Sequence, residues 1–464
     1  MKQKNLYVLE QMPVTRAIIH LALPSVLSML VNILYNLTDT FFIGKLNDPI
    51  PVAAVSIALP IFTFQMALAG IFGIGGGSYL SRLLGQKDYI RAKETTTIAM
   101  FSSLALSILL SLLGVLGIPL VLKAVGASAQ TAVPAAQYMR IILLGSPCVL
   151  LKFTLIQLIR AEGAAKQAML GLFIGTGANI ILDPLLIFGC NMGVTGAAVA
   201  TVIGQGLGAA YYLWYYLSGH SVARPSRKYL HPRWEIYREI FFIGLPASLG
   251  QVMMSVGNVL SYNLASAYGD LNVASLGVAS RVFSIPIFVF IGIAVGVQSL
   301  IGYNYGARNY HRLKSGIANS LKISLSLGAF FTLLFALFPR ALIAAFINDP
   351  RIMDLGRQVL GAYVFAIPSA AIGMILMSSL QAMGKALPAF IVSLSRQGLI
   401  YIPALFTLNA VYGFGGLIFA LPVADVLTTM LSGSFLWRIL TGLRHHAPAP
   451  AAAEYIEPVP ADGV

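Results

Sequence analysis

Charge is what this sequence holds least of. Only 10% of its 464 residues are Asp, Glu, Lys or Arg, where an ordinary soluble domain carries about 25%. With 58% apolar residues and a mean hydropathy of +0.82, the chain has too little polar surface to face water along its whole length, which excludes a soluble fold. Cysteine is almost missing: Cys148 and Cys190 stand alone in apolar surroundings, so neither a disulfide framework nor a thiolate metal centre is expected. A nucleotide-binding loop is missing as well. The Gly-rich "GIFGIGGGS" at 70–78 is not followed by Lys and Ser/Thr, and no G-x-x-x-x-G-K-[ST] occurs elsewhere, so no ATP and no other cofactor is expected. In a membrane span such small residues serve close helix packing or bending. Acid clusters are absent too, and His20, His220, His231, His311, His445 and His446 fall at span ends, in loops or in the tail. That argues against a membrane enzyme acting on lipid or prenyl substrates.

What fills the chain instead is long apolar runs. A spanning helix needs about 20 such residues, and twelve runs of that kind lie near 16–43, 52–81, 94–121, 131–159, 167–189, 193–218, 239–267, 273–304, 315–345, 357–382, 387–411 and 415–441. Long alternating segments that would mark an outer-membrane barrel do not occur. The pattern predicts an all-α integral membrane protein with twelve transmembrane helices. Its net charge of +14 sorts by side: with the N-terminus inside, twenty Lys and Arg fall in cytoplasmic connections and five outside. This places both termini in the cytoplasm by the positive-inside rule. The basic excess is therefore a topology signal, and no nucleic-acid partner is expected. The N-terminus lacks a short apolar core ending in a small-residue cleavage site, so the first span is expected to serve as the insertion signal. The expected location is a cell membrane, the inner membrane in a bacterium, with membrane lipids as neighbours and the chain as a monomer.

The second half of the chain repeats the first. "ALPSVL" at 22–27 returns as "GLPASL" at 244–249, and Asn36 falls on Asn258, an offset of 222. "GQKDYIRAK" at 85–93 returns as "GARNYHRLK" at 306–314; Pro147 falls on Pro368, Gly163 on Gly384, and Gly193 and Gly196 on Gly413 and Gly416. Six spans separate the copies, so both start on the same side of the membrane and are related by an axis along its normal, as in carriers whose two bundles rock against each other. The predicted units are an N-terminal six-helix lobe over 1–218, a basic cytoplasmic linker over 219–238, a C-terminal six-helix lobe over 239–444 and a disordered tail over 445–464.

Two six-helix halves, the early "LP", "YNLTDTFFIG" in the first span, "GQKDYIRAKE" after the second and "ANIILDPLLIFGCNMGVTGAAVAT" across the fifth and sixth resemble the multidrug and toxic compound extrusion family, within the wider superfamily that includes oligosaccharidyl-lipid and polysaccharide flippases. The resemblance spans residues 5–440. It implies a V-shaped pair of lobes that exports amphipathic, often cationic compounds against protons or sodium by alternating access.

Independently of that resemblance, three of the sixteen acids stand out: Asp39, Asp183 and Asp425 lie well within spans or at a deep break. An ionised carboxylate at mid-membrane costs about 2.5–3.5 kcal/mol on insertion scales and normally faces a cavity or a partner. Burial and a neighbouring acid move a carboxyl's titration to where it can load and release protons. Residues four apart share a helix face, so Tyr35 lies over Asp39 and Asn179 over Asp183, with Thr201 on the next span offering a hydroxyl. Carboxylate, amide and hydroxyl oxygens suit a proton or a sodium ion, with sodium, if bound, at Asp39, Asn179, Asp183 and Thr201. The resemblance implies an N-lobe cation site at the matching positions Tyr35, Asp39, Tyr138, Asn179, Asp183 and Thr201. Plainer readings stand beside this: Asp183 before Pro184 could simply break the fifth span, and Asp39 could bond only to backbone.

In the second half Asp39 falls on Ser261 and Asp183 on Ala404, so no second copy of the site is expected; the resemblance implies an additional acidic cluster there in some family members, and its lack in this sequence favours protons, with sodium left open. Candidates for the substrate cavity are Asn36, Gln65, Met66, Met253, Met254, Phe288, Gln298 and Asp425, because thioether and aromatic groups adapt to varied amphiphiles and cations. Met and Phe at helical spacing also serve packing or face lipid, and Asp425 near Pro422 could be a packing contact. The competing reading is a flippase for a lipid-linked oligosaccharide or cell-wall precursor, which would need cations in its cavity. Arg140, Lys152, Arg281, Lys322 and Arg396 are the basic residues inside spans, and several are expected to snorkel from span ends.

Overall fold

The computed structural model describes residues 2–45, 49–125 and 128–443. The side chains of Asn36 and Asp39, and the tail expected beyond residue 444, lie outside the described residues. Every long apolar run becomes a helix, because in hydrocarbon each backbone N–H and C=O must be satisfied within its own segment. After a short N-terminal helix α1 (Lys2–Glu10) come α2 (Val14–Gly44), α3 (Pro49–Gly85), α4 (Tyr89–Val125), α5 (Ala129–Leu144), α6 (Ser146–Ala161), α7 (Ala165–Pro184) and α8 (Gly193–Leu217). The second half follows as α9 (Trp234–Ser266), α10 (Asp270–Gly306), α11 (Tyr310–Leu337), the short α12 (Pro339–Ala344), α13 (Pro350–Tyr363), α14 (Ala366–Ala382), α15 (Ala386–Leu394) and α16 (Tyr401–Gly442).

Among the described residues nine helical stretches are long and apolar enough to cross a membrane, and α5–α6 and α13–α14 add two spans bent by 50° and 47°. The twelfth comes from the continuous stretch Ala386–Gly442, which breaks at Gly413 (φ 60°, ψ −141°). The twelve-helix, two-bundle layout expected from hydropathy therefore holds, with two spans broken.

The repeat is visible in the backbone itself. Lys87 and Arg308, Gly163 and Gly384, and Gly193 and Gly413 all take positive φ, at matching positions of the two halves. In the "GQKDYIRAK" and "GARNYHRLK" segments the left-handed residue ends one helix. The next residue then caps the following helix: Asp88 Oδ1 accepts from the Arg91 N–H at 3.0 Å and Asn309 Oδ1 from the Arg312 N–H at 3.1 Å. A left-handed end followed by an Asx cap is a tight helix reversal, which is why the motif survives in both copies.

The lobes meet along α2, α3, α9 and α10. Glycine lets these backbones touch: a Cβ on Gly75 would collide with the Ile240 carbonyl and one on Gly306 with that of Arg82, and the repeat mate Gly85 meets the carbonyl of Tyr303. The end carrying the basic connections is further tied by Arg82–Glu239 at 2.8 Å. There α1 crosses between the halves. The Asn5 amide donates to the Tyr215 hydroxyl of the first lobe at 3.4 Å, while Arg312 of the second donates to the carbonyls of Leu9 (3.1 Å) and Met12 (2.6 Å).

The linker is fastened under the first lobe. Glu162, buried in the turn after α6, accepts from Ser221 Oγ at 2.6 Å and the Val222 N–H at 3.3 Å, and the Ser226 N–H donates to Thr97 at 3.2 Å. Burial pushes the Glu162 carboxyl up to about 7, against these hydrogen bonds, which pull it down. The folded protein thus holds a proton that the unfolded chain releases near 4.5, so the stabilisation is complete below about pH 4.5 and lost as pH rises through about 7. Glu162→Gln keeps the neutral form at every pH. Wild type and variant are expected to melt together near pH 4 and diverge by up to about 3 kcal/mol by pH 8, with the variant more stable. Melting curves across that range in detergent check this; a constant gap would contradict it.

Candidate functional site

Helix α7 carries its acid at the point where it stops being regular. Pro184 has no N–H to give the preceding turn, and the helix loosens into a single π turn, Leu185–Gly189, a distortion common at functional sites. Asp183, just before it, is fully buried, and Asn179 and Thr201 are 2% and 5% exposed. Thr201 reaches α7 because Gly204 and Gly175 let α8 approach closely: a Cβ on Gly204 would lie 2.6 Å from the Gly175 carbonyl oxygen. With the Asn179 amide turned to satisfy both ends, its nitrogen donates to Asp183 Oδ2 at 3.1 Å and its oxygen accepts from the Thr201 N–H at 3.1 Å. A void of about 30 Å³ adjoins this network, lined by Asn32, Tyr35, Lys152, Thr176, Asn179, Thr201 and Gln205 among others. That is room for about two water-sized groups. Among the described residues no three His, Cys, Asp or Glu side chains converge as a metal site, so an ion here would depend on Asp183 and neutral oxygens.

A larger cavity of about 240 Å³ continues from it. Its walls are Met29, Asn32 and Tyr35 of α2, Phe62 and Met66 of α3, a face of α6 (Val149, Lys152, Phe153, Ile156, Arg160), Leu172, Gln205 and, from the second lobe, Phe288. The sequence-predicted residues thus divide. Tyr35, Asn179 and Thr201 line the small void beside Asp183, and Met66 and Phe288 line the cavity. Tyr138 is half-buried on α5, packed against the cluster of Val55, Ile187, Val194 and Ala197. Asp39 and Asn36 are placed only as backbone of α2.

The others sit elsewhere. Gln65 is fully buried and donates to the Ile142 carbonyl (3.1 Å) and Ser146 Oγ (2.8 Å). It serves the bend between α5 and α6, where the break frees a carbonyl that must find a donor. Met253 packs its sulfur on Gly398 in the π turn Ser395–Leu399, and Met254 is 47% exposed. Gln298 lines a narrow crevice at the lobe junction with Gln157 and Arg160. Asp425, 1% exposed, is spent on Arg396: Nε and Nη2 donate to its two oxygens at 2.7 and 3.4 Å. Ser261, at the repeat position of Asp39, instead shares a 2.6 Å hydrogen bond with the Tyr401 hydroxyl.

The snorkelling expected of the intramembrane cations fails for two of them. Arg396 is paired inside the second lobe, and Lys152 is 8% exposed. The Lys152 stem crosses Gly208 and its Nζ lies 3.2 Å from where a Gly175 Cβ would stand. Glycines on α7 and α8 thus make the slot that holds it. Sequence reasoning missed Lys152, Arg160 and Gln205 as lining residues. A signal existed: positions 149, 152, 153, 156 and 160 fall on one face of α6, the face with both cations.

The sequence pattern of the MatE family matches residues 24–185 and, again, 246–407, two copies at the same spacing as the internal repeat. Over 434 residues, 93% of this chain and 95% of theirs, the chain is 33% identical to the multidrug export protein MepA of Staphylococcus aureus strain MRSA252 and 34% identical to that of strain N315. MepA of Staphylococcus haemolyticus is 32% identical over 435 residues, again 93% of this chain and 95% of that protein. Among solved structures, the outward-facing conformation of a multidrug resistance MATE family transporter of the MOP superfamily superposes with a TM-score of 0.90 at 24% identity, covering 95% of this chain and 99% of that one. With two full family matches and relatives aligned along nearly its whole length, the chain belongs to the MatE family, the multidrug and toxic compound extrusion membrane transporters.

Proposed function

We propose that this protein is a secondary active exporter of compact amphipathic molecules, driven by protons or sodium that load at Asp183 together with Asp39. The observation that carries this reading is the buried Asp183–Asn179–Thr201 network opening through Tyr35 and Gln205 into a methionine- and aromatic-walled cavity. Ion and substrate would share walls, so each can change the other's affinity. With the basic connections inside, the lobes close on the cytoplasmic side, and alternating access would proceed by parting the Gly75, Gly85 and Gly306 contacts. The kinship with multidrug export proteins supports efflux of varied small molecules.

Lys152 and Arg160 in the cavity wall give the flippase reading its one point of support, since a lipid pyrophosphate needs cations. A cavity of about 240 Å³ suits a compact amphiphile better, small-molecule sites typically measuring about 300–1,000 Å³. Purified protein in vesicles, with a pH gradient and a sodium gradient imposed separately, tests the proposal. A fluorescent amphiphile should move against its own gradient under one of them, which names the ion. No movement under either, with folded protein, would overturn it.

A further inference from the structure

On the outside of the first lobe, α2 and α7 leave a groove of about 510 Å³ between them, at the end that carries the basic connections. Its mouth and its floor differ in chemistry. Arg16 and Lys166 lie in the first turns of the spans Val14–Tyr35 and Ala165–Gly189, with His20 one turn further in, and all three are exposed. Beyond them the groove is walled by Ile19, Leu23 and Leu27 of α2, 51%, 55% and 40% exposed, and by Met169 of α7. Residues three and four apart share a helix face, and the stretch from Arg16 to Leu27 covers roughly 16 Å along the axis at about 1.5 Å per residue. The groove therefore runs from the membrane interface well into the hydrocarbon, with its cations at the mouth. Its repeat mate lies between α9 and α15 in the second lobe, a groove of about 370 Å³. There Phe241, Leu245 and Pro246 stand at the positions of Ile19, Leu23 and Pro24, and Phe390 at that of Met169. The mouth, however, is apolar: His20 falls on Phe242 and Lys166 on Leu387, and Arg238, at the position of Arg16, stacks over the Phe242 ring at 5.2 Å. The same helix crossing makes both grooves, and the first lobe alone has a basic cluster at the entrance.

An apolar groove open to the bilayer takes up acyl chain, because an empty one would forfeit the dispersion contacts of its walls. Cations at the interface then decide which headgroup that chain carries: each Lys or Arg near a membrane surface favours an anionic lipid about fivefold. We infer that the groove between α2 and α7 is a binding site for an anionic glycerophospholipid, with one acyl chain along Ile19, Leu23 and Leu27 and the phosphate held between Arg16 and Lys166. The Arg16 fork can grip two phosphate oxygens, Lys166 adds a mobile point charge, and His20 offers a further ring N–H. The second-lobe groove takes an acyl chain without selecting its headgroup. This site is separate from the ion void and the cavity, and it stands whether or not ions load at Asp183.

The test is native mass spectrometry of the full-length protein titrated with phosphatidylglycerol or with phosphatidylcholine of the same acyl chains. Wild type should bind the first phosphatidylglycerol about tenfold more tightly than the first phosphatidylcholine, two exposed and partly screened cations acting together. Arg16→Gln combined with Lys166→Gln should bring the two lipids within about twofold of each other, while Arg238→Gln, at the repeat position, should leave the preference in place. Equal affinity of wild type for both lipids would overturn the inference. So would a preference that survives in the folded double variant, or one that Arg238→Gln removes as fully, since either outcome means a diffuse attraction to the basic face. A second measurement needs no variant: phosphatidylglycerol carrying a diazirine midway along one acyl chain is photolysed on wild type and the adducts are mapped by proteolysis. Label should concentrate on residues 19–27 and at Met169, and labelling there no stronger than at Phe241–Leu245 would overturn the proposal. Displacement of the lipid by an equal concentration of soluble glycerophosphoglycerol would overturn it too, showing an anion site that makes no use of the groove.

Discussion

Asp183→Asn is expected to lower gradient-driven transport by at least about a hundredfold while leaving the protein folded and able to exchange substrate passively. Asparagine has the same shape as aspartate, and its carbonyl oxygen can take the hydrogen bond that Asn179 now gives Asp183 at 3.1 Å, so the contact between α7 and α8 is preserved. What disappears is the ability to gain and lose a charge in a fully buried position. A driving ion can bias the two conformations only through a difference in its affinity for them, and each factor of ten in coupling corresponds to about 1.4 kcal/mol. A neutral amide has no proton to exchange and binds sodium weakly, so the gradient loses its handle while substrate still samples the cavity. Vesicle uptake under a pH or sodium gradient, alongside substrate counterflow without one, separates these effects. Full gradient-driven transport in the variant would remove Asp183 from the coupling site. Asp183→Ala is a poorer test, because it leaves Asn179, 2% exposed, with a donor facing nothing.

Why was Asp183 legible in the sequence and Lys152 not? An acid deep within an apolar run is costly and its short side chain cannot reach the interface, so Asp183 announces itself by composition, and the Pro184 beside it marks the distorted turn. Lys152 has a long stem whose head can reach either the interface or the interior. Only the glycine slot at 175 and 208, on two other helices, decides for the interior. Pairing across elements is hidden in the same way: nothing local in "SLSRQGL" tells that Arg396 meets Asp425, 29 residues further along. Gln65 is a cavity candidate from the sequence, yet the bend at Gly145 gives it a backbone carbonyl to satisfy instead. The fold was more legible than the site, because hydropathy and the repeat report on whole segments. Gly193 and Gly413 are alike in sequence for the physical reason that both take positive φ, where only glycine is free of strain.

The Arg396–Asp425 pair leads to the second large effect, and here the expected loss is stability. Asp425 is 1% exposed and the Arg396 side chain 16%, so Asp425→Ala strands a guanidinium in the second lobe between α16 and the π turn Ser395–Leu399. Removing one member of a buried pair costs about 3–5 kcal/mol, whereas replacing both by apolar groups of similar volume is often neutral or stabilising. Asp425→Ala is therefore expected to unfold at markedly lower temperature or denaturant, and the double variant Arg396→Met with Asp425→Leu to recover most of the loss. Thermal melts of the single and double variants in detergent measure this, with coupled transport assayed on whatever remains folded. Recovery of stability together with transport would make the pair a structural element of the second lobe, consistent with ion loading confined to the first. Recovery of stability without transport would show that a charge in the second lobe also takes part in the cycle, and Asp183 would then be one of two places where the gradient acts.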